Sequence, residues 1–336
     1  MITQPKLTVA RGGKTANITI GLMIFAAAIL AATPWLFGVG GSGRAVALLV
    51  YILLAVMWNA LAGFAGLVSI GQTLFFGVAA YATIRLADAG VNPYFAILIA
   101  TGIGAVLGWV TSFFMLSLKD GEFAIGMWVL SSLAHLCVNL DPLIQGETGT
   151  SLISLNSYDI ELRSKLTLWL ALAITIAIFV ILVLLLRSRM GAAITAIRDD
   201  ELGARSIGVN VVRTKRVVFV LAATGTAAAG ALWLASNTNF QPRAFFGVQW
   251  TAYMLFMVLV GGLGRIEGAI IGAVLFFIIE TYFAAYGVWY LVGLGTVAVF
   301  FALMLPKGLW GWIGPRLPGE AIPTGYLVEK SKNEAE

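Results

Sequence analysis

Apolar runs of about twenty residues, almost free of charged side chains, recur along the whole chain. Ile18–Phe37 and Leu166–Leu186 are two of them. A helix of about 20 apolar residues spans the hydrocarbon core of a bilayer, and a helix satisfies all of its backbone hydrogen bonds there. Charged residues make up only 11% of the 336 residues, whereas soluble domains carry about 25%. We therefore predict an all-α, polytopic membrane protein.

Ten such runs predict about ten transmembrane helices. They are Ile18–Phe37, Arg44–Ala62, Gly66–Ala87, Pro93–Leu118, Phe123–Leu140, Leu166–Leu186, Val217–Ser236, Trp250–Gly264, Ala269–Gly287 and Val288–Leu305. Residues 62–77 and 141–158 are rich in Gly, Ser and Thr, which predicts broken or re-entrant segments. The expected organisation is an N-terminal tail of residues 1–17, a transmembrane domain of residues 18–305 and a C-terminal tail of residues 306–336.

The basic residues indicate the orientation in the membrane. An even number of spans places both termini on one side, and that side would carry sixteen of the 21 lysines and arginines. The other side would carry five: Arg44, Arg85, Arg163, Lys165 and Arg243. Short loops rich in Lys and Arg stay in the cytoplasm. Both tails and the long loop Arg187–Arg216 are therefore predicted to be cytoplasmic.

The loop Arg187–Arg216 is the longest polar interruption of the chain. It contains seven of the 21 basic residues and the only run of three acids, at positions 199–201. Asp199 and Asp200 are expected to cap a short helix that ends at Gly208. The loop is either a plain connector or a site at which a soluble partner binds, because a short amphipathic helix can enter a groove on another protein.

Uncharged polar residues inside the predicted spans form a second group of candidates. Ser69, Gln72 and Thr73 lie close together, with Asn59 in the preceding span. On a helix, Ser69 and Gln72 would share one face. They either hold helices together by hydrogen bonds, at roughly 0.6 kcal/mol each, or line a path for a small polar solute. Glu280 is either an interfacial carboxylate bonded to a neighbour or part of the exit of such a path.

The sequence lacks the motifs of several other functions. There is no GxxxxGK[ST] phosphate loop, no HExxH and no GxSxG motif. One histidine, His135, and one cysteine, Cys137, make a metal or heme site or an internal disulfide implausible. We expect no enzymatic activity, no bound cofactor, no metal site and no binding of nucleic acid. Two isolated ionisable groups in the spans also count against a proton-coupled carrier.

Four segments resemble the permease subunits of bacterial branched-chain amino acid ABC importers, in the LivM-like branch. They are WNALAGFAGLVSIGQTLFFGVAAY (58–81), LKDGEFAIGMWV (118–129), AITAIRDDELGARSIGVNVVRTKRVVF (193–219) and GGLGRIEGAIIGA (261–273). They occur in the order that is typical of the family. The sequence departs from the family pattern at Gln72, Met127, Glu147, Gly203 and Arg265. The match is closest in the cytoplasmic loop.

The resemblance implies a machine with several subunits in the bacterial inner membrane. The partners would be a second, LivH-like permease, two cytoplasmic ATPases that use the ATP, and a periplasmic solute-binding protein, with membrane lipid around them. The expected coupling residues, which would contact an ATPase, are Arg198, Asp199, Asp200, Glu201, Ala204, Arg205, Ile207 and Gly208. The expected path residues are Asn59, Ser69, Gln72, Thr73, Thr148, Thr150 and Glu280.

Within this interpretation, Ala204, Ile207 and Gly208 form the contact face, and Arg198 and Arg205 pair with ATPase acids or with lipid phosphates. The two arginines could equally be ordinary cytoplasmic anchors. The solute would be a branched-chain or related amino acid. A urea or short-chain amide permease of the same superfamily, a proton-coupled secondary carrier and a structural scaffold remain as alternatives.

Overall fold

The protein is represented by a computed structural model that describes residues 7–10, 14–316, 321–322 and 327–330. The rest of the two predicted tails lies outside the described residues. Within the described part, eight helices are long and apolar enough to cross a membrane, so the all-α, polytopic fold is confirmed. The helices are α1 (Lys14–Asn59), α2 (Thr73–Asp88), α3 (Pro93–Met115), α4 (Asp120–Asn139), α5 (Ile160–Arg187), α6 (Arg189–Asp199), α7 (Glu201–Ser206), α8 (Val211–Asn237), α9 (Pro242–Phe245), α10 (Gln249–Gly261), α11 (Ile266–Phe283), α12 (Val288–Met304) and α13 (Gly308–Ile313).

The helix α1 contains the first two predicted spans and reverses between them. Its regular backbone is interrupted at Gly38, which has φ 63° and ψ −157°. Thr15, near the start of α1, borders the same cavity as Ile270 of α11. Asn59, at the end of α1, hydrogen-bonds the Arg265 carbonyl, directly before α11. Both ends of α1 therefore lie at one end of α11, and each arm is long enough for the ~20 residues of a span.

The third predicted span is shorter than expected, because α2 begins only at Thr73. Residues Ala60–Phe64 form a π-helical turn, and residues 66–72 have no regular helix or strand. The prediction of a broken segment in 62–77 is therefore confirmed. The expectation that Ser69 and Gln72 share a helical face is wrong, since both precede the helix. We call residues 66–72 the unwound segment.

The second stretch that was predicted to be irregular also lacks a long helix. Residues 141–158 contain the 3₁₀ turns Gly146–Thr148 and Ile153–Ser157 and the strand β2 (Thr150–Ser151). This strand pairs antiparallel with β3 (Asn239–Phe240). A second antiparallel pair joins β1 (Leu7–Ala10) to β4 (Leu327–Lys330). Since β1 and β4 belong to opposite ends of the chain, the two tails meet.

The central helix is α8, whose middle consists largely of buried alanine and glycine. Helix α3 packs on it through Gly104 and Gly108, which face Ala227 and Ala223. A Cβ atom at Gly104 would lie 2.1 Å from the Cβ atom of Ala227. Small residues allow this close approach of two helices, which is how helices associate in lipid.

Contacts between loops define two ends of the bundle. The basic end, as we call it, contains the loop Arg187–Arg216. Here Arg198 contacts Gly63, and Glu267 at the start of α11 accepts a hydrogen bond from the backbone N–H of Ile322. At the opposite end, Arg85 pairs with Asp141, whose Oδ2 lies 2.7 Å from Nε. The long helices run in alternate directions between these two ends. The predicted topology requires this alternation.

Candidate translocation and coupling sites

The loop Arg187–Arg216 contains two helices rather than one. The helix α6 begins after Ser188, whose hydroxyl accepts from the N–H of Met190 at 3.1 Å. Asp200 then adopts an extended backbone and caps α7, accepting from the N–H of Leu202 at 3.0 Å. Its predicted capping role is therefore confirmed. The same prediction for Asp199 is wrong, because Asp199 is the last residue of α6.

The helix α7 has an inner and an outer face. Ala204 is buried and packs with Ile197 and Val211, so its side chain points into the loop structure. Ile207 is 77% exposed and Leu202 is 73% exposed. Of the three residues that were expected on the contact face, Ile207 and Gly208 are exposed and Ala204 is not. Sequence reasoning missed Leu202, although an apolar residue directly after three acids is a usable signal.

The charged residues of the loop differ in what they contact. Glu201 pairs with Lys215 of α8 and with Arg205, which lies 3.6 Å away. Glu201 thus ties α7 to α8. Arg198 pairs with Asp199, with 2.9 Å between Nη2 and Oδ1. Whether any of these residues contacts an ATPase remains a prediction.

Arg198 also links the loop to the transmembrane bundle. Its Nη1 donates to the carbonyl oxygen of Gly63 at 3.3 Å, in the π-helical turn before the unwound segment. The side chain of Asn59 lies next to Gly63. It forms hydrogen bonds with the backbone between α10 and α11. The Asn59 amide donates to the carbonyl of Arg265 at 2.9 Å and accepts from the N–H of Gly264 at 2.8 Å. Asn59 is therefore engaged with backbone at the basic end.

The remaining polar candidates of this region surround the start of α2. Ser69 and Gln72 are fully buried, and Thr73 is 2% exposed. The hydroxyls of Thr73 and Ser131 lie 2.8 Å apart, and Thr226 donates to Gln72 Oε1 at 3.3 Å. The structure thus adds Ser131 of α4 and Thr226 of α8 to this group. Single hydroxyl residues among small apolar ones gave no distinctive sequence signal.

Thr148 and Thr150 lie at the opposite end of the bundle. Thr148 is exposed, and Thr150 pairs with Phe240 in the small sheet. Between them and α4, Glu147 accepts from Asn139 at 2.6 Å and from the Arg243 N–H at 3.1 Å. The two threonines therefore belong to an ordered loop, separate from the residues around Gln72.

Glu147 also pairs with His135, at 2.8 Å between Oε1 and Nε2. Burial alone would raise the pKa of Glu147, but the hydrogen bond from Asn139 and the proximity of His135 lower it below its ordinary value. The carboxylate therefore stays ionised and holds the loop on α4. The ion pair with Glu147 therefore gives His135 a structural role in this loop.

Glu280 occupies a third location. Its carboxylate hydrogen-bonds the side chain of Tyr51, and its other polar neighbours are Tyr253 and Tyr290. This agrees with the interpretation of Glu280 as a carboxylate that is bonded to a neighbour, and its location at the membrane interface stays a prediction. Of the seven predicted path residues, only Ser69, Gln72 and Thr73 are close together. Among the described residues, no group of three or more His, Cys, Asp or Glu side chains could hold a metal ion.

Comparison with known proteins gives a consistent result. The family model described as "Branched-chain amino acid transport system / permease component" matches residues 41–305. The LivM permease protein of the high-affinity branched-chain amino acid transport system of Escherichia coli (strain K12) is 25% identical over 324 residues, covering 88% of this chain and 76% of that protein. Its counterpart in Salmonella typhimurium is 24% identical over 316 residues, covering 86% and 74%. No solved structure matches at a significant level.

A third relative matches a shorter part of the chain. The probable branched-chain amino acid transport permease protein LivM of Methanocaldococcus jannaschii is 24% identical over 214 residues. The aligned part covers 62% of each chain. The family match covers nine of the ten predicted spans, from the second onward, and it includes both the unwound segment and the loop with α6 and α7.

Proposed function

This chain belongs to the family of permease components of branched-chain amino acid transport systems, and we propose that it lines the solute path of an ATP-driven importer in the bacterial inner membrane. The family match over residues 41–305 supports this function. The proposed solute is a branched-chain or related amino acid. The proposed partners are a LivH-like second permease, two cytoplasmic ATPases and a periplasmic solute-binding protein.

The contact with the ATPases is proposed to be the coupling surface, which consists of Leu202, Arg205, Ile207 and Gly208. Two large apolar side chains that are more than two-thirds exposed are unusual on a polar loop outside the spans. Their burial in a groove of another protein would stabilise a complex, and the flanking charges would orient it. The positive charge of the loop supports a cytoplasmic location for this surface, where ATP is used.

The structure suggests how the force would reach the path. Closure of the ATPases would push on α7, and Glu201 and Ala204 fix α7 to α6 and α8. Arg198 then connects the end of α6 to Gly63, directly before the unwound segment. Rigid-body rocking of the helices around this segment would open the path alternately to the two sides.

The coupling surface can be tested by replacing Leu202 and Ile207 together with aspartate. We expect ATP-dependent uptake of L-leucine to be lost while the protein still inserts into the membrane, because two buried charges would separate the subunits. Val212→Asp is the matched control, since Val212 is an exposed apolar residue near the same end but outside α7.

Uptake and copurification of the ATPases are measured in cells that express the complete transporter. Normal uptake by the double variant would contradict the proposed surface. Uptake that persists without ATP, but requires a proton gradient, would instead indicate a secondary carrier.

A further inference from the structure

The unwound segment is held on two sides by side chains from other helices. The carbonyl oxygen of Ser69 accepts from the indole N–H of Trp58 at 2.9 Å. The next carbonyl, of Ile70, accepts from the hydroxyl of Thr251 at 2.6 Å. Backbone groups at this depth need protein partners, because lipid offers none. These two acceptors of the segment are thus satisfied, and its position is fixed relative to α1 and α10.

The side chains of the segment are satisfied only in part. Thr73 shares a hydrogen bond with Ser131, and Gln72 Oε1 accepts from Thr226. Gln72 Nε2 and Ser69 Oγ, however, have no hydrogen-bond partner among the described residues. Both residues are 0% exposed. Most buried polar atoms are paired, so two unpaired ones within four residues suggest that a ligand completes them.

The two unpaired atoms, Gln72 Nε2 and Ser69 Oγ, can both donate hydrogen bonds. The Gln72 amide nitrogen carries two N–H groups and the Ser69 hydroxyl carries one O–H. Gln72 is also the N-cap of α2, a helix of 16 residues. The N–H groups of Leu74 and Phe75 already donate to the carbonyls of Gly71 and Gln72, so the N-terminus of α2 contributes through the helix dipole, which favours an anion at this position. The three features together fit a carboxylate.

We propose that Gln72, Ser69 and the N-terminus of α2 bind the α-carboxylate of the amino acid during its passage. This inference rests on the proposed function and adds to it the chemical group that the path recognises. Broken helices whose N-termini face an anionic substrate group serve the same purpose in other transporters. Neutral donors bind a carboxylate without the strong trap that a buried lysine or arginine would form.

The binding site is closed in this structure. At the opposite end of the bundle, Phe245 and Phe246 of the segment around α9 pack on Phe76 and Gly77, just beyond Gln72. On the side of α4, a Cβ atom at Gly71 would lie 1.9 Å from the carbonyl oxygen of Met127. From these two sides, the carboxylate therefore reaches Gln72 only after α4 or the segment around α9 moves away. Rocking of helix bundles around a fixed site would produce such a movement.

The test uses the complete transporter in proteoliposomes, with L-leucine and its binding protein outside. Gln72→Met keeps the side-chain length but removes the donor. We expect the ratio of maximal rate to KM for leucine to fall roughly ten- to hundredfold, the effect of losing a hydrogen bond to a charged group. Ser69→Ala should cause a smaller loss. Thr83→Ala is the control, since Thr83 is a buried residue of α2 whose hydroxyl bonds only within its helix, to the Ala79 carbonyl.

The variant Gln72→Glu distinguishes a role of Gln72 in binding the substrate carboxylate from a purely structural role. It keeps an acceptor for Thr226 but places a negative charge where the substrate carboxylate binds, so uptake at neutral pH should be lower than in Gln72→Met. As the outer pH is lowered towards 5, the protonated glutamic acid becomes a neutral donor. Uptake relative to the wild type should then recover in Gln72→Glu and not in Gln72→Met.

The results distinguish this site from the proposed function. If Gln72→Met matches an active wild type, or if Gln72→Glu shows the same pH profile as Gln72→Met, the carboxylate site is wrong and the proposed function stands. If the wild-type complex shows no ATP-driven uptake of leucine, the proposed function is wrong and the site falls with it.

Discussion

The link between Arg198 and Gly63 leads to a quantitative prediction about coupling. Arg198→Met removes the guanidinium but keeps a side chain of similar reach. The substitution breaks the hydrogen bond from Nη1 to the Gly63 carbonyl at 3.3 Å. It also removes the ion pair with Asp199. Only the first of these contacts joins the loop to the bundle.

The size of the effect follows from the geometry. A hydrogen bond from a charged donor contributes about 1.5–3 kcal/mol. Here the bond is long, at 3.3 Å, and the Arg198 side chain is 37% exposed. Water can therefore replace part of the free energy that is lost with this bond. The ion pair with Asp199, whose side chain is 64% exposed, adds little. A loss of about 1 kcal/mol remains, which changes an equilibrium about fivefold.

The expected result is a transporter that uses ATP without moving its solute efficiently. ATP hydrolysis should stay near the wild-type rate, because the coupling surface on α7 is intact. The number of leucine molecules imported per ATP should fall about fivefold, in line with the lost link. Both rates are measured in the same proteoliposomes. Arg189→Met is the matched control, since Arg189 is an exposed arginine at the other end of α6.

The reasoning would be refuted by an Arg198→Met variant with an unchanged ratio of import to hydrolysis. A parallel fall of both rates would also contradict it, because that pattern indicates lost docking of the ATPase and not a broken link within this chain.

Two further predictions concern stability in detergent. Gly104→Ala should lower the thermal unfolding midpoint, because its Cβ would lie 2.1 Å from that of Ala227, and overpacking costs about 1–3 kcal/mol. Gly102→Ala should not lower it, since nothing in the described part of the chain lies within 4 Å of its Cβ. The hydrogen bond from Tyr81, together with Arg85, holds the pKa of Asp141 below its ordinary value. The resulting stability is present above the unfolded pKa of about 3.9 and is lost as the pH falls through the folded pKa. Asp141→Asn should lower the midpoint at pH 7 and flatten its acid dependence, which a series of melts from pH 7 to about 3 measures.

The spans could be predicted from the sequence because a run of ~20 apolar residues has few other solutions. The irregular segments were harder to place. The first two predicted spans leave residues 38–43 between them, yet the regular backbone of α1 is interrupted at one residue, Gly38, whose φ is positive. Before Thr73, the Gly and Ser residues predicted a broken segment, but composition does not show at which residue α2 begins. The backbone there depends on partners such as Trp58 and Thr251, which lie far away in sequence.

In the candidate site, too, features that depend on neighbouring residues were predicted, and features that depend on residues far away in sequence were not. The Asp200 cap and the Gly208 stop are local signals, and both were predicted. The orientation of α7 is not local, because Ala204 is buried only through the fold of α6 and α8 around it. Glu280 was selected as an ionisable residue within a predicted span, and Thr148 was selected from the resemblance to the family. Residue type does not place a side chain beside Gln72; the tertiary fold does.

The unwound segment explains why the polar residues of the spans and the contacts of the cytoplasmic loop occur together. A backbone without helical hydrogen bonds is tolerated inside a membrane only where protein groups surround it. Here the surrounding groups come from α1 and α10, while Arg198 holds the turn that precedes it. A displacement of the loop can therefore act on the segment through Arg198, as well as on α8 through Glu201. The irregular backbone is thus the part of the chain to which we assign both the proposed solute site and its proposed link to the ATPases.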